Sequence, residues 1–138
     1  MLVVLDSNII LSALISEHGI PARIVDNWFA GKYRLATCRE QLDEIRSASR
    51  YPKMQSVLKR HLVGRMLNLM REAGLQEITC RGHVAEDPTD SYLLDLADCS
   101  GCDYLVTGDK RAGLLQRRKV GRAAILSAKS FHRDVLRG

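Results

Sequence analysis

The sequence is poor in aromatic residues and in proline, and it has no long apolar run. Aromatics are 5% of 138 residues, too few for base stacking to dominate any nucleic-acid binding. With 3 prolines and 10 glycines there is no Pro/Gly/Ser linker, and there is no repeat or low-complexity tract. One domain over residues 1–138 is therefore expected. No apolar stretch approaches the roughly 20 residues that span a bilayer, so no membrane role is expected. The opening MLVVLDSN has no basic lead and is interrupted by Asp6, unlike an export leader, and a cytoplasmic location is the expectation.

Metal-binding cysteine and histidine patterns are missing too. The cysteines are Cys38, Cys80, Cys99 and Cys102, and only the last two form a CxxC, with no second pair to complete a zinc set. All four read as reduced structural thiols. His18, His61, His83 and His132 are scattered without a ligand spacing, which points to surface or packing roles.

What is present is ordinary in amount and informative in position. Hydrophobic residues are 46% and charged residues 27%, as in a folded globular domain. The net charge is +5 with a pI near 9.2. Basic residues crowd one late stretch holding Lys110, Arg111, Arg117, Arg118, Lys119 and Arg122. Such a cluster suits a phosphate backbone, although a solvated face explains it equally simply.

Short apolar strands alternate with helical stretches. LVVL, YRLAT, LQEIT, DYLVT and AAIL read as strands. IILSALI, PARIVDNWFAG, REQLDEIRSAS, QSVLKRHLVGRMLNLMREAG, EDPTDSYLLDLADCSG and KSFHRDVLR read as helices, with a short one in GDKRAGLLQ. Asp87 is a natural N-cap and Pro88 a natural first helical residue. The alternation predicts an α/β fold with a mainly parallel sheet of four or five strands flanked by helices.

In such a sheet the functional crevice lies beyond the carboxyl ends of the strands. Asp6 follows LVVL at that edge, and Asp109 follows DYLVT there, after Thr107 and Gly108. Asp90 shares a helical face with Leu94 and Ala97, whereas Asp95 points away and should be solvated. In REQLDEIRSAS, Asp43 and Glu44 flank the apolar side on opposite sides, and periodicity does not choose between them. Two carboxylates ~4 Å apart repel by about 4 kcal/mol at an effective dielectric of about 20. A hard divalent cation, Mg²⁺ or Mn²⁺, on oxygen ligands relieves that repulsion. Acids, such an ion and a basic surface together suggest phosphodiester hydrolysis.

VVLDSNIILSAL, LDEIRSASRYPK, EDPTDSYLLDLA and DYLVTGDKRAGLL, in this order, resemble PIN-domain proteins, and most of all the PIN-domain toxins of toxin–antitoxin pairs. The resemblance covers nearly the whole chain. It implies a catalytic, metal-holding quartet at Asp6, Glu44, Asp90 and Asp109, with one or two Mg²⁺ or Mn²⁺ ions. It implies supporting roles for Ser7, Asn8 and Thr107; Asp87, the N-cap, is a further supporting candidate, and Lys110 and Arg111 of the basic cluster are expected to contact the RNA backbone. It further implies an endoribonuclease with an RNA substrate, a small antitoxin partner and a homodimer. Relatives often carry an acid where this chain has Ser91 and a basic residue where it has Glu86.

Other readings are a catalytically silent PIN fold for RNA binding or assembly, and a DNA-cleaving nuclease. A receiver-type phosphoacceptor domain needs an acid closing a middle strand; YRLAT and LQEIT end without one.

Overall fold

The computed structural model describes residues 1–108 and 113–137. Strand β1 (Leu2–Leu5) is followed by α1 (Ser7–Ile15), α2 (Ile20–Phe29) and the two-residue β2 (Arg34–Leu35). Then come α3 (Arg39–Ser49), the short α4 (Pro52–Gln55) and α5 (Arg60–Gly74). An extended strap over 75–86 leads to a 3₁₀ turn (Pro88–Asp90) and α6 (Ser91–Ser100). Strand β3 (Tyr104–Thr107), α7 (Leu114–Arg117), β4 (Lys119–Val120) and β5 (Ala123–Ser127) complete the sheet. The chain closes with α8 (Ala128–Ser130) and a π-helical turn (Phe131–Leu136).

The sheet order is β2-β1-β3-β5-β4. All pairings are parallel except the edge pair β4–β5. Both faces are covered, which is why the central strands read as continuous apolar runs. Strand alternation divides them between two cores. Val3, Leu5, Leu35 and Val106 pack under the helical layer that includes α1, α2, α3 and α5. Val4, Leu105 and Ile125 pack against α6 and its neighbours. Phe131 closes the first core, fully buried, with ring contacts to Tyr33 and Tyr104 at 5.8 and 5.7 Å.

The expected α/β fold with a mainly parallel, helix-flanked sheet is what the chain adopts. Four local expectations are corrected. LQEIT is not a strand: β2 is too short to template it, and Leu75 makes only an isolated bridge to Thr37. The long run QSVLKRHLVGRMLNLMREAG is not one helix throughout: Gln55 ends α4, residues 56–59 are non-helical, and α5 begins at Arg60. Asp95 is buried, not solvated, because the strap folds over α6 and the His83 amide donates to its carboxylate at 3.1 Å. Finally, not all four cysteines are reduced thiols: only Cys38 and Cys102 are free. Gly101 takes the left-handed C-cap (φ 65°) and turns Cys102 into the core, while Cys99 is joined to Cys80 of the strap in a disulfide. Spacing along the chain could not reveal that pair, because a non-repetitive segment brings Cys80 there.

Candidate nuclease site on the strand rim

Asp6 stands where β1 becomes α1. Its amide donates to Val106 O at 2.8 Å, one last ladder bond before the chain turns. Its Oδ1 accepts the Asn8 amide at 3.1 Å and so caps α1. Its Oδ2 accepts the Thr107 hydroxyl at 3.0 Å, tying the ends of β1 and β3 together. The carboxylate is only 5% exposed, and no cationic side chain among the described residues pairs with it. Helix capping accounts for one oxygen. It does not account for burying a carboxylate without a counter-charge, which is costly.

Behind Asp6 a polar chain runs through the rim. Gln41, fully buried on α3, accepts from Thr37 Oγ1 at 2.6 Å through Oε1. Its Nε2 donates to Leu5 O at 2.6 Å and reaches Ser7 Oγ at 3.4 Å. Ser7 Oγ lies 3.1 Å from the hydroxyl of Tyr92 on α6, and that hydroxyl donates to Glu44 Oε1 at 2.5 Å. Burial first, and donation to Glu44 second, hold the Tyr92 phenol well above the ordinary tyrosine range, so it keeps its proton.

The structure therefore separates the two acids that periodicity could not. Glu44 is half-buried and bonded into the rim, while Asp43 is exposed and pairs with Arg46 at 3.4 Å. Asp90 is buried at the N-cap of α6, two residues before Tyr92. Asp87 caps the 3₁₀ turn, its Oδ1 accepting from the Thr89 amide and hydroxyl at 3.0 and 2.8 Å. Ser91 accepts from the Ala85 amide at 3.0 Å, which anchors the strap. Asp109, Lys110 and Arg111 lie outside the described residues.

Gln41 and Tyr92 were not singled out from the sequence. Gln41 sits three residues before Glu44, a helical neighbour spacing that could have drawn attention to it. Tyr92 carried no local signal, since its partners lie 48 and 85 residues away.

Beside the rim is a hollow of about 270 Å³ whose lining includes Asn8, Ser12, Pro21, Gly108, Ala128 and Lys129. A larger groove of about 570 Å³ lies away from the acids, lined in part by Leu14, Val25, Phe29, Leu62, Met66 and Leu69.

Asp6, Glu44 and Asp90 offer only oxygen donors, the chemistry that suits a hard divalent ion. The uncompensated burial of Asp6 fits such an ion as well. Among the described residues, no three acid, imidazole or thiol side chains stand together as a complete metal cluster.

Fold and rim together define a mainly parallel α/β domain that sets Asp6 at the carboxyl end of β1 and links that end to Glu44 through Ser7 and Tyr92. The PIN-domain family model matches residues 2–111, and the chain belongs to the PIN-domain family. PIN domains are generally nucleases and typically bind divalent metals, which assigns this chain a nuclease-type function in general terms. No curated protein and no solved structure matches the chain. No helix among the described residues is long and apolar enough to cross a membrane.

Proposed function

We propose that the protein is a Mg²⁺- or Mn²⁺-dependent endoribonuclease and the toxin of a toxin–antitoxin pair. The observation that carries the nuclease reading is the buried Asp6 carboxylate, held by Asn8 and Thr107 at the junction of two parallel strands. Asp6, Glu44, Asp90 and Asp109 hold one or two divalent ions in this reading. Such an ion supplies activation of water and charge neutralisation at the phosphoryl group. The protein's own part is positioning. Thr107 and the Asn8 amide aim Asp6, while Ser7 joins that end of the rim to Glu44 through Tyr92.

Lys129, exposed at the edge of the 270 Å³ hollow that Asn8 also lines, meets a substrate phosphate in this reading. Lys110 and Arg111 extend the same attraction in this reading, which makes RNA binding fall steeply with salt. The apolar groove between α1, α2 and α5 is our candidate seat for a small antitoxin, with Glu17, Asp26 and Arg65 among its polar residues. A homodimer through the exposed Ile15 and Phe29 would compete for that face. A cytoplasmic place of action belongs to the same proposal.

The deciding experiment is cleavage of a labelled single-stranded RNA with Mn²⁺, with Mg²⁺ and with EDTA, alongside Asp6→Asn. Metal-dependent cutting that disappears in the variant is expected, with RNA binding retained. Folded, partner-free protein that binds RNA but never cuts overturns the enzyme in favour of a silent PIN module. Cutting of DNA alone overturns the choice of RNA.

A further inference from the structure

The donors of the rim chain point one way. A carbonyl oxygen only accepts, so the bond to Leu5 O identifies the Gln41 atom there as the amide nitrogen. The Thr37 hydroxyl on Oε1 agrees with that orientation. Gln41 therefore donates toward Ser7. Tyr92 has a single hydroxyl hydrogen, and it goes to Glu44 Oε1 at 2.5 Å. The 3.1 Å contact between Ser7 and Tyr92 must then be filled by the serine hydrogen. The order is Gln41 to Ser7 to Tyr92 to Glu44, a run of donors ending on a carboxylate.

From this we infer that Tyr92 is a positioning residue of the nuclease site, fixing the Glu44 carboxylate in register with Asp6 through Ser7. The inference rests on the reading of Glu44 as a metal-holding acid. Ser7 follows Asp6 directly in the chain, so whatever fixes Ser7 also fixes the first acid. Tyr92 carries that placement across to α3, a separate element that meets the rim from another side. Among the described residues Glu44 has no other hydrogen-bond partner. Losing the phenol therefore frees the side chain to rotate. With one oxygen engaged, Oε2 is left for a cation.

Two effects oppose each other. A donor on Oε1 competes with a cation for that oxygen's lone pairs, whereas a fixed orientation strengthens the carboxylate's hold on the cation. Losing an outer partner of a metal-holding side chain typically costs 10–100-fold in metal affinity, so orientation wins.

The test is calorimetric titration of the protein with Mn²⁺, comparing wild type, Tyr92→Phe, Ser7→Ala, Glu44→Gln and the double variant Tyr92→Phe/Glu44→Gln. Tyr92→Phe keeps the ring and removes only the hydroxyl. It is expected to bind Mn²⁺ at least about tenfold more weakly, and its RNA cleavage should need correspondingly more Mn²⁺ for half-maximal rate. Ser7→Ala should move affinity in the same direction by less, and serves in place of Tyr92→Phe if that variant does not fold. In the Glu44→Gln background, Tyr92→Phe should add nothing.

Unchanged Mn²⁺ affinity in Tyr92→Phe, with Glu44→Gln clearly weakened, overturns the positioning role alone. Unchanged affinity in Glu44→Gln removes Glu44 from the metal-holding set, and the inference falls with it. Wild-type protein that takes up no Mn²⁺ overturns the proposed function itself.

Discussion

The Thr107 hydroxyl donates to Asp6 Oδ2 at 3.0 Å across 101 residues of chain, joining the last residue of β3 to the acid that ends β1. Both residues are buried, so this bond is not exchanged for water. Thr107→Val keeps the shape and removes the donor. A buried charged group left short of a donor costs about 1–3 kcal/mol, and urea unfolding should show that loss. If Asp6 acts as proposed, cleavage of RNA falls as well, and Thr107→Ser restores both. A valine variant as stable and as active as the parent would remove Thr107 from the site.

The Cys80–Cys99 bond closes a loop of 19 residues, from the strap to the last turn of α6. Closing a loop of that length stabilises by about 3 kcal/mol through the unfolded chain. Dithiothreitol should lower the melting temperature of the parent and leave a Cys80→Ser/Cys99→Ser variant unchanged. Equal melting of oxidised and reduced parent would show that the strap does not need the bond. Cys38 and Cys102 are buried, and burial pushes the Cys38 thiol up to about 11. Neither should react with a thiol reagent until the protein unfolds.

Two glycines of α5 predict opposite signs. A Cβ on Gly74 would fall on the carbonyl oxygen of Leu35, and the backbone there is pinned by the 2.9 Å bond from Thr37 N to Gly74 O. Gly74→Ala should destabilise by about 1–3 kcal/mol, the usual cost of overpacking. Gly64 has nothing within 4 Å of its missing Cβ and is exposed in mid-helix. Gly64→Ala should stabilise by up to about 1 kcal/mol. Denaturant midpoints moving in the same direction would contradict this pair.

Asp103 precedes β3 and holds the start of β1. It accepts the Leu2 amide at 2.9 Å and Arg122 Nη2 at 2.9 Å. The Leu2 amide, and to a lesser extent the Arg122 charge, hold its carboxyl below the ordinary carboxylate range. The folded value is thus lower than the unfolded one. The stability it contributes is complete above the ordinary carboxylate value and is lost as pH falls through the lowered folded value. Asp103→Asn should flatten the stability–pH curve below about pH 4. A curve that keeps its acid limb in the variant would assign that limb to other carboxyls.

Much of the architecture is legible in the sequence because it rests on local patterns. LVVL and DYLVT are apolar without alternation, as strands covered on both faces must be. Gly101 marks the end of α6 by backbone chemistry alone, and the Asp87–Pro88 pair marks the start of the 3₁₀ turn that leads into it. LQEIT failed because a strand needs an edge to pair with, and β2 offers only two residues. Asp95 failed because a period describes one helix and not the strap that folds over it.

The acid at the end of MLVVLD was determined by the sequence itself: an apolar strand must stop somewhere, and Asp6 stops it while capping the next helix. Tertiary structure decided which acids share the rim with it. Glu44 and Asp43 are neighbours in sequence and equivalent by periodicity, yet only Glu44 meets Tyr92, 48 residues on. The same holds for Cys80 finding Cys99 and for Thr107 reaching Asp6. Hydrogen bonds and disulfides act over a few ångströms of space. Partners far apart in the chain are chosen by how the layers pack, and no local pattern records that choice.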